Sequence, residues 1–212
     1  MNTEIIYTVS EPIEKNRETY PAIFLMHGMG SNENDLPAIV KEMEKDYYIF
    51  SLRGPLSQGP GYAFFTIERI GKPHEEPFRR ILKDVQTFLE EATKHYPIDP
   101  QKIYLLGFSQ GAILSQSLAT ILGNQLAGIV SIGGYLPELA LEGRNKVDMN
   151  GLQVLLAHGE QDPVIPFEWS EKSKDFFETE GAQVKYFPYT GGHFVTPQLV
   201  EEIEEYFHNT NK

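Results

Sequence analysis

Cysteine is absent from the 212 residues. A disulfide framework, a thiolate nucleophile and Cys-ligated zinc are therefore excluded. Cationic residues are scarce beside acidic ones: 18 Lys and Arg stand against 30 Asp and Glu, a net charge of −12. A surface of that sign disfavours phosphate backbones and anionic membranes, so nucleic acid is not expected as a partner. The acid is read as keeping the protein in solution. Long hydrophobic runs are also missing. Uninterrupted apolar stretches such as Ala22-Ile23-Phe24-Leu25-Met26 are far too short to span a bilayer. The start, MNTEIIYTVSEPIEK, has acids and no apolar centre flanked by basic residues, so it does not read as a signal peptide. A cytoplasmic protein is expected. No repeat, low-complexity block or long linker divides the chain, and its length suits one domain over residues 1–212.

What is present is an alternation. Short runs rich in β-branched and aromatic residues predict strands at Ile5–Val9, Ala22–Met26, Tyr47–Leu52, Ile103–Phe108, Gly128–Ile132, Val154–His158 and Val184–Pro188. Several are apolar on consecutive residues, which suits strands covered on both faces of a parallel sheet. Between them, Phe78, Ile81, Leu82, Val85, Phe88, Leu89, Ala92 and Tyr96 fall at steps of three and four, one face of a long helix that Pro97 ends. Ala112–Leu122 is apolar on most sides and is stopped by Gly123. Helices are also expected over Phe167–Glu180 and Pro197–His208. The pattern predicts an α/β domain with a mostly parallel sheet. Gly54–Pro77 has no clear period and reads as a long excursion over the site.

One join in this pattern carries chemistry. Gly107-Phe108-Ser109-Gln110-Gly111 follows a predicted strand and opens a buried helix. A serine at so sharp a turn projects its Oγ above the sheet, and flanking glycines let strand and helix approach closely. The helix that follows directs its N–H groups and positive dipole end to the same place. The alternative is a serine N-cap on a core helix, which the surrounding pattern disfavours. A serine hydroxyl needs a base, and the base needs an acid, in the chain order Ser…Asp/Glu…His. Of six histidines, His158, His193 and His208 follow Ser109. His208 lies in a polar tail, and His158 leaves no room for a preceding acid. His193, in Gly191-Gly192-His193 after the last strand, is the predicted base. Asp162, in HGEQDPVIP after a core strand, is the predicted acid, with Glu160 and Asp148 as rivals.

An oxyanion needs two backbone donors. One is the N–H of Gln110. The other is expected from Met29, in the strand-to-helix loop His27-Gly28-Met29-Gly30. That loop lacks the third glycine of a dinucleotide fingerprint and the lysine of a P-loop, so a nucleotide site is disfavoured. His27 is read as a structural hydrogen-bonding residue. Phe64, Phe65, Ile165 and Phe194 are the candidate substrate-pocket residues, although aromatics there suit a core equally well.

Together, His27-Gly28-Met29-Gly30, Arg53-Gly54-Pro55, the serine turn, His158-Gly159 through Asp162-Pro163-Val164-Ile165-Pro166, and Gly192-His193 resemble the α/β-hydrolase superfamily. Within it they are most similar to the phospholipase/carboxylesterase family, which includes acyl-protein thioesterases and small bacterial carboxylesterases. The resemblance spans nearly the whole chain. It implies a sheet of about seven strands with helices on both faces and no large cap domain. It also implies Ser109, Asp162 and His193 as catalytic triad, Met29 and Gln110 as oxyanion donors, and no cofactor or metal. Where thioesterase members carry a Trp-Phe-Asp type segment, this chain has Gly61-Tyr62-Ala63-Phe64-Phe65-Thr66, and its single tryptophan is Trp169. That departure weighs against protein-linked thioesters. Related dienelactone hydrolases use a cysteine that this chain does not possess.

The expectation is a serine carboxylesterase for small, short-acyl esters, with a lysophospholipase or acyl-protein thioesterase as the alternative. A hydrolase-like binding module should have lost a triad member or an elbow glycine, and none is lost here. The expected partner is a small-molecule ester. An exposed apolar helix face would be the basis of a homodimer, though no residue selects one.

Overall fold

A strand that is apolar on every residue needs cover on both faces. The computed structural model describes residues 4–210, and its central strands are of this kind. In chain order the strands are β1 (Tyr7–Ser10), β2 (Tyr20–Met26), β3 (Tyr48–Leu52), β4 (Leu56–Gln58), β5 (Gly61–Ala63), β6 (Ile67–Arg69), β7 (Lys72–Pro73), β8 (Ile98–Phe108), β9 (Gly128–Ile132), β10 (Gln153–Gly159) and β11 (Gln183–Tyr189). The helices are α1 (Glu75–His95), α2 (Gln110–Leu122), α3 (Glu138–Leu141), α4 (Phe167–Thr179) and α5 (Pro197–Thr210), with a 3-10 stretch over Leu36–Lys45.

All seven predicted strands fall in one seven-stranded sheet of order β1-β3-β2-β8-β9-β10-β11. Only β1 runs antiparallel, against β3; the other neighbours are parallel. β8 begins earlier than expected because Ile98 pairs with Tyr20 across a register irregularity. The fold is that of an α/β-hydrolase.

Alternate side chains feed two cores. Ala22, Phe24 and Met26 of β2, with Ile103 and Leu105 of β8, face α1 and α2. Ile23 and Leu25, with Tyr104 and Leu106, face the 3-10 stretch and α5. On α1 the buried residues are Phe78, Ile81, Leu82, Val85, Phe88, Leu89 and Ala92, the face expected from their spacing. Burial stabilises by about 1.5–3 kcal/mol for each large apolar side chain, so packing rather than propensity holds the helix. Helix α2 is buried from Gln110 through Thr120, as its apolar composition demands. Among the described residues no helix is long and apolar enough to cross a membrane.

The Gly54–Pro77 excursion carries more structure than its sequence suggested. It holds two small antiparallel hairpins, β4–β5 and β6–β7, and its last three residues already belong to α1. Pro77 is tolerated there because first-turn N–H groups have no intrahelical acceptor to lose. Glu75 and Glu76 suit the same turn electrostatically. The strands β2, β8, β10 and β11 end on one side of the sheet, and the loops leaving them carry the candidate site.

Candidate active site

Between β8 and α2 the backbone must reverse within one residue. Ser109 does this at φ 53°, ψ −112°. It is the one non-glycine residue with positive φ among those described, a conformation that costs of order 1–3 kcal/mol and persists where surroundings impose it. The flanking glycines show what imposes it. A Cβ on Gly107 would lie 2.1 Å from the carbonyl of Gly111, and one on Gly111 would lie 1.8 Å from Met26 O. No side chain fits at either place. Ser109 N–H donates to Ile132 O at 2.8 Å, tying the turn to β9.

Two further strand ends complete a relay. His193 lies after β11, where the backbone of Gly191 and Gly192 runs so close to Gly159 that a Cβ there would be 2.3 Å from Gly192 O. Its Nε2 is 2.8 Å from Ser109 Oγ, and its Nδ1 is 2.6 Å from Asp162 Oδ2. A carboxylate accepts, so Nδ1 carries the proton and Nε2 is left to receive the one on Ser109. The Phe108 ring packs on the imidazole at 4.9 Å between centroids. Asp162 has a fully buried side chain. Burial alone would push its carboxyl up. The N–H of Ile165, the hydrogen bond from His193 and the N–H of Val164 outweigh that and hold it below the usual range. It is therefore ionised at neutral pH.

The loop after β2 is clamped from several sides. His27 Nδ1–H donates to Gly28 O at 2.7 Å and its Nε2 accepts Gly54 N–H at 3.0 Å. It is a structural hydrogen-bonding residue, as read from the sequence. Gly30 N–H donates to Tyr62 O and Tyr62 N–H to Ser31 O, both at 2.8 Å. Arg53 grips the buried Glu33 with two nitrogens, Nε at 2.6 Å, and its guanidinium lies over the Tyr62 ring. Met29 N–H itself donates to no acceptor among the described residues. Gln110 is the first residue of α2, where an N–H has no intrahelical partner. Its side chain bridges to the excursion: Oε1 accepts Phe64 N–H at 2.7 Å, and Nε2–H donates to Phe65 O at 2.8 Å. Neither Gln110's amide bridge nor Glu33 stood out in the sequence. Gly133 also went unnoticed, although it lies against the His193 ring and the Gly-Gly pair after β9 was a visible signal.

The four predicted pocket residues are placed unequally. Phe65 is fully buried, edge-on to Phe78 at 5.0 Å. Phe64 is buried with its ring 4.7 Å from that of His27, and Ile165 is buried too. Phe194 alone presents a large surface, 54% exposed beside the glycine pair. Among the rivals, Glu160 accepts from Thr190 Oγ1 at 3.4 Å, and Asp148 caps its own turn through Asn150 N–H. His208 is exposed on α5. A half-enclosed groove of about 520 Å³ lies between α1 and the excursion; its lining includes Phe64 and Ile81 but none of Ser109, Asp162 and His193.

A family model described as phospholipase/carboxylesterase matches residues 8–211. The acyl-protein thioesterase 1 of Kluyveromyces lactis is 33% identical over 74% of this chain and 75% of its own. That of Debaryomyces hansenii is 25% identical over 80% and 82%. Among solved structures, a carboxylesterase of Bacillus cereus superposes with a TM-score of 0.88 at 27% identity, covering 99% of this chain and 96% of that one.

Proposed function

The chain belongs to the phospholipase/carboxylesterase family of hydrolases, and we propose that it is a serine carboxylesterase acting on small, short-acyl esters through Ser109, His193 and Asp162. The observation that carries the reading is the unbroken relay from Ser109 Oγ through His193 to Asp162 Oδ2, at 2.8 and 2.6 Å. His193 Nε2 takes the proton of Ser109 as Oγ adds to the ester carbonyl. The N–H groups of Met29 and Gln110 receive the oxyanion. The C–O bond to the alcohol breaks, and the alcohol leaves with the proton from His193. Water, deprotonated by the same imidazole, then releases the acid and restores the serine. Asp162, buried and ionised, holds the imidazole tautomer throughout.

The short-acyl preference is supported by the burial of Phe64, Phe65 and Ile165, which leaves Met29, Val164 and Phe194 as the exposed large apolar side chains on the loops of the site. A second reading, a long-acyl esterase or thioesterase, is favoured by the groove that Phe64 lines and by relatives named acyl-protein thioesterase. A series of p-nitrophenyl esters from acetate to palmitate separates the two. Activity peaking at the short end, and falling about a million-fold in kcat in Ser109→Ala, is expected. A peak at palmitate would move the reading to the second. A Ser109→Ala variant as active as the parent would sink both.

A further inference from the structure

His158 is the last residue but one of β10 and was set aside above as a base, yet it lies directly behind the proposed acid. Its side chain is wholly buried, with its ring edge-on to Phe167 at 6.0 Å. Nε2 lies 3.0 Å from Ile165 O. A carbonyl only accepts, so Nε2 carries the proton and Nδ1 a lone pair. Nδ1 makes no well-formed hydrogen bond, and the backbone of Gly134 lies beside the ring. What the imidazole offers to the site is therefore its Nε2–H.

Nε2 is also 3.4 Å from Asp162 Oδ2, the oxygen that receives His193 Nδ1–H. The second carboxylate oxygen, Oδ1, accepts Val164 N–H at 2.8 Å and Ile165 N–H at 2.9 Å. Asp162 is thus enclosed on every side by donors, and the two groups that hold it share an anchor. Ile165 gives its N–H to Oδ1 and its carbonyl to His158. The charged and titratable groups facing His158 are Asp162 and His193.

We propose that His158 is a positioning residue for the reaction: its Nε2–H pins the Asp162 loop through Ile165 O and presents the positive end of the N–H dipole to Oδ2, so that this oxygen stays aimed at His193. The inference rests on the reading of Ser109, His193 and Asp162 given above. Three variants separate it from a packing role. Gln at 158 places an amide nitrogen where Nε2 was. Asn is equally polar but too short to reach Ile165 O, and Leu has no donor.

The measurement is kcat and KM for p-nitrophenyl acetate across pH, normalised to active sites counted with a fluorophosphonate probe. His158→Asn and His158→Leu are expected to lose roughly ten- to a hundred-fold in kcat per titrated site, with KM nearly unchanged, as a slightly misaimed catalytic group does. The acid limb of kcat/KM is expected to move to higher pH in both, because Asp162 keeps more of its charge for His193. His158→Gln should restore kcat and the limb towards the parent. A merely structural His158 would lower the count of active sites and leave kcat per site and the limb unmoved, and that result overturns the proposal. If Leu does not fold, Asn against Gln decides alone. A parent enzyme that takes no label would overturn the serine-hydrolase reading itself, and this inference with it.

Discussion

His27 and His158 are buried, and burial pushes the pKa of each below the ordinary histidine value of 6.5. In the unfolded chain both bind a proton below that pH; in the folded chain they resist it. Unfolding is therefore favoured as pH falls. Their full contribution to stability is present above pH 6.5 and is lost as pH drops from there towards the folded values. Each contributes a slope of at most about 1.4 kcal/mol per pH unit. Urea unfolding at pH 7.5 and 5.5 should show a lower midpoint at the acid end. A flat stability across that window would mean that neither imidazole is held neutral by the fold. Asp162 acts in a lower window. Its depressed pKa contributes stability present above its ordinary value of 3.8 and lost only below it, so it does not confuse the comparison. At this scale the sequence was informative where chemistry leaves a local signature. The glycines around Ser109, and Gly159 against the Gly191–Gly192 backbone, mark close approaches that no other residue allows. Phe64 and Phe65 carry no such mark. An aromatic reads the same in a string whether it walls a pocket or fills a core, and only the folded path of the excursion decides.

Between elements, the join that matters most is the side chain of Gln110. It is 3% exposed and supplies both hydrogen bonds that hold the excursion against the serine turn. Truncation in Gln110→Ala keeps the backbone N–H but leaves Phe64 N–H and Phe65 O buried without partners. Each unsatisfied group costs on the order of 1–3 kcal/mol. The expected result is a clear drop in melting temperature together with a loss of kcat, since the loop carrying Met29 is bonded to the same excursion through Tyr62. A variant that melts and turns over like the parent would show that this bridge is not what fixes the loop. The excursion also explains what stayed illegible. Its strands are two or three residues long, too short for a period, and they are set by contacts to Gly30, Ser31 and Gln110 far away in the chain. The central sheet strands were legible for the opposite reason: β2, β3, β8, β9 and β10 are buried over runs of several residues, and the apolar run records that.

Across the whole molecule, one sheet serves two cores. Neither layer of helices can keep its cover if the strands part, because Phe24 and Leu25, or Leu105 and Leu106, are neighbours on one backbone facing opposite ways. The proposed catalytic groups are distributed over the ends of β8, β10 and β11, so the site exists only while those strands remain in register. A single domain is therefore expected to lose structure and activity together. The single tryptophan, Trp169 on α4, packs against the first core and reports on that side. Far-UV circular dichroism reports on all helices, including α5 over the second core, and ester hydrolysis reports on the strand ends between them. In urea the three curves should coincide in one transition, the mark of a cooperative unit. If tryptophan fluorescence changed well before ellipticity, the two layers would be separable units and the division of the chain would have to be redrawn. If activity alone were lost first, the strand-end loops would open locally before the sheet, and the clamps at Gln110, Arg53 and His158 would be the places to seek the weakness.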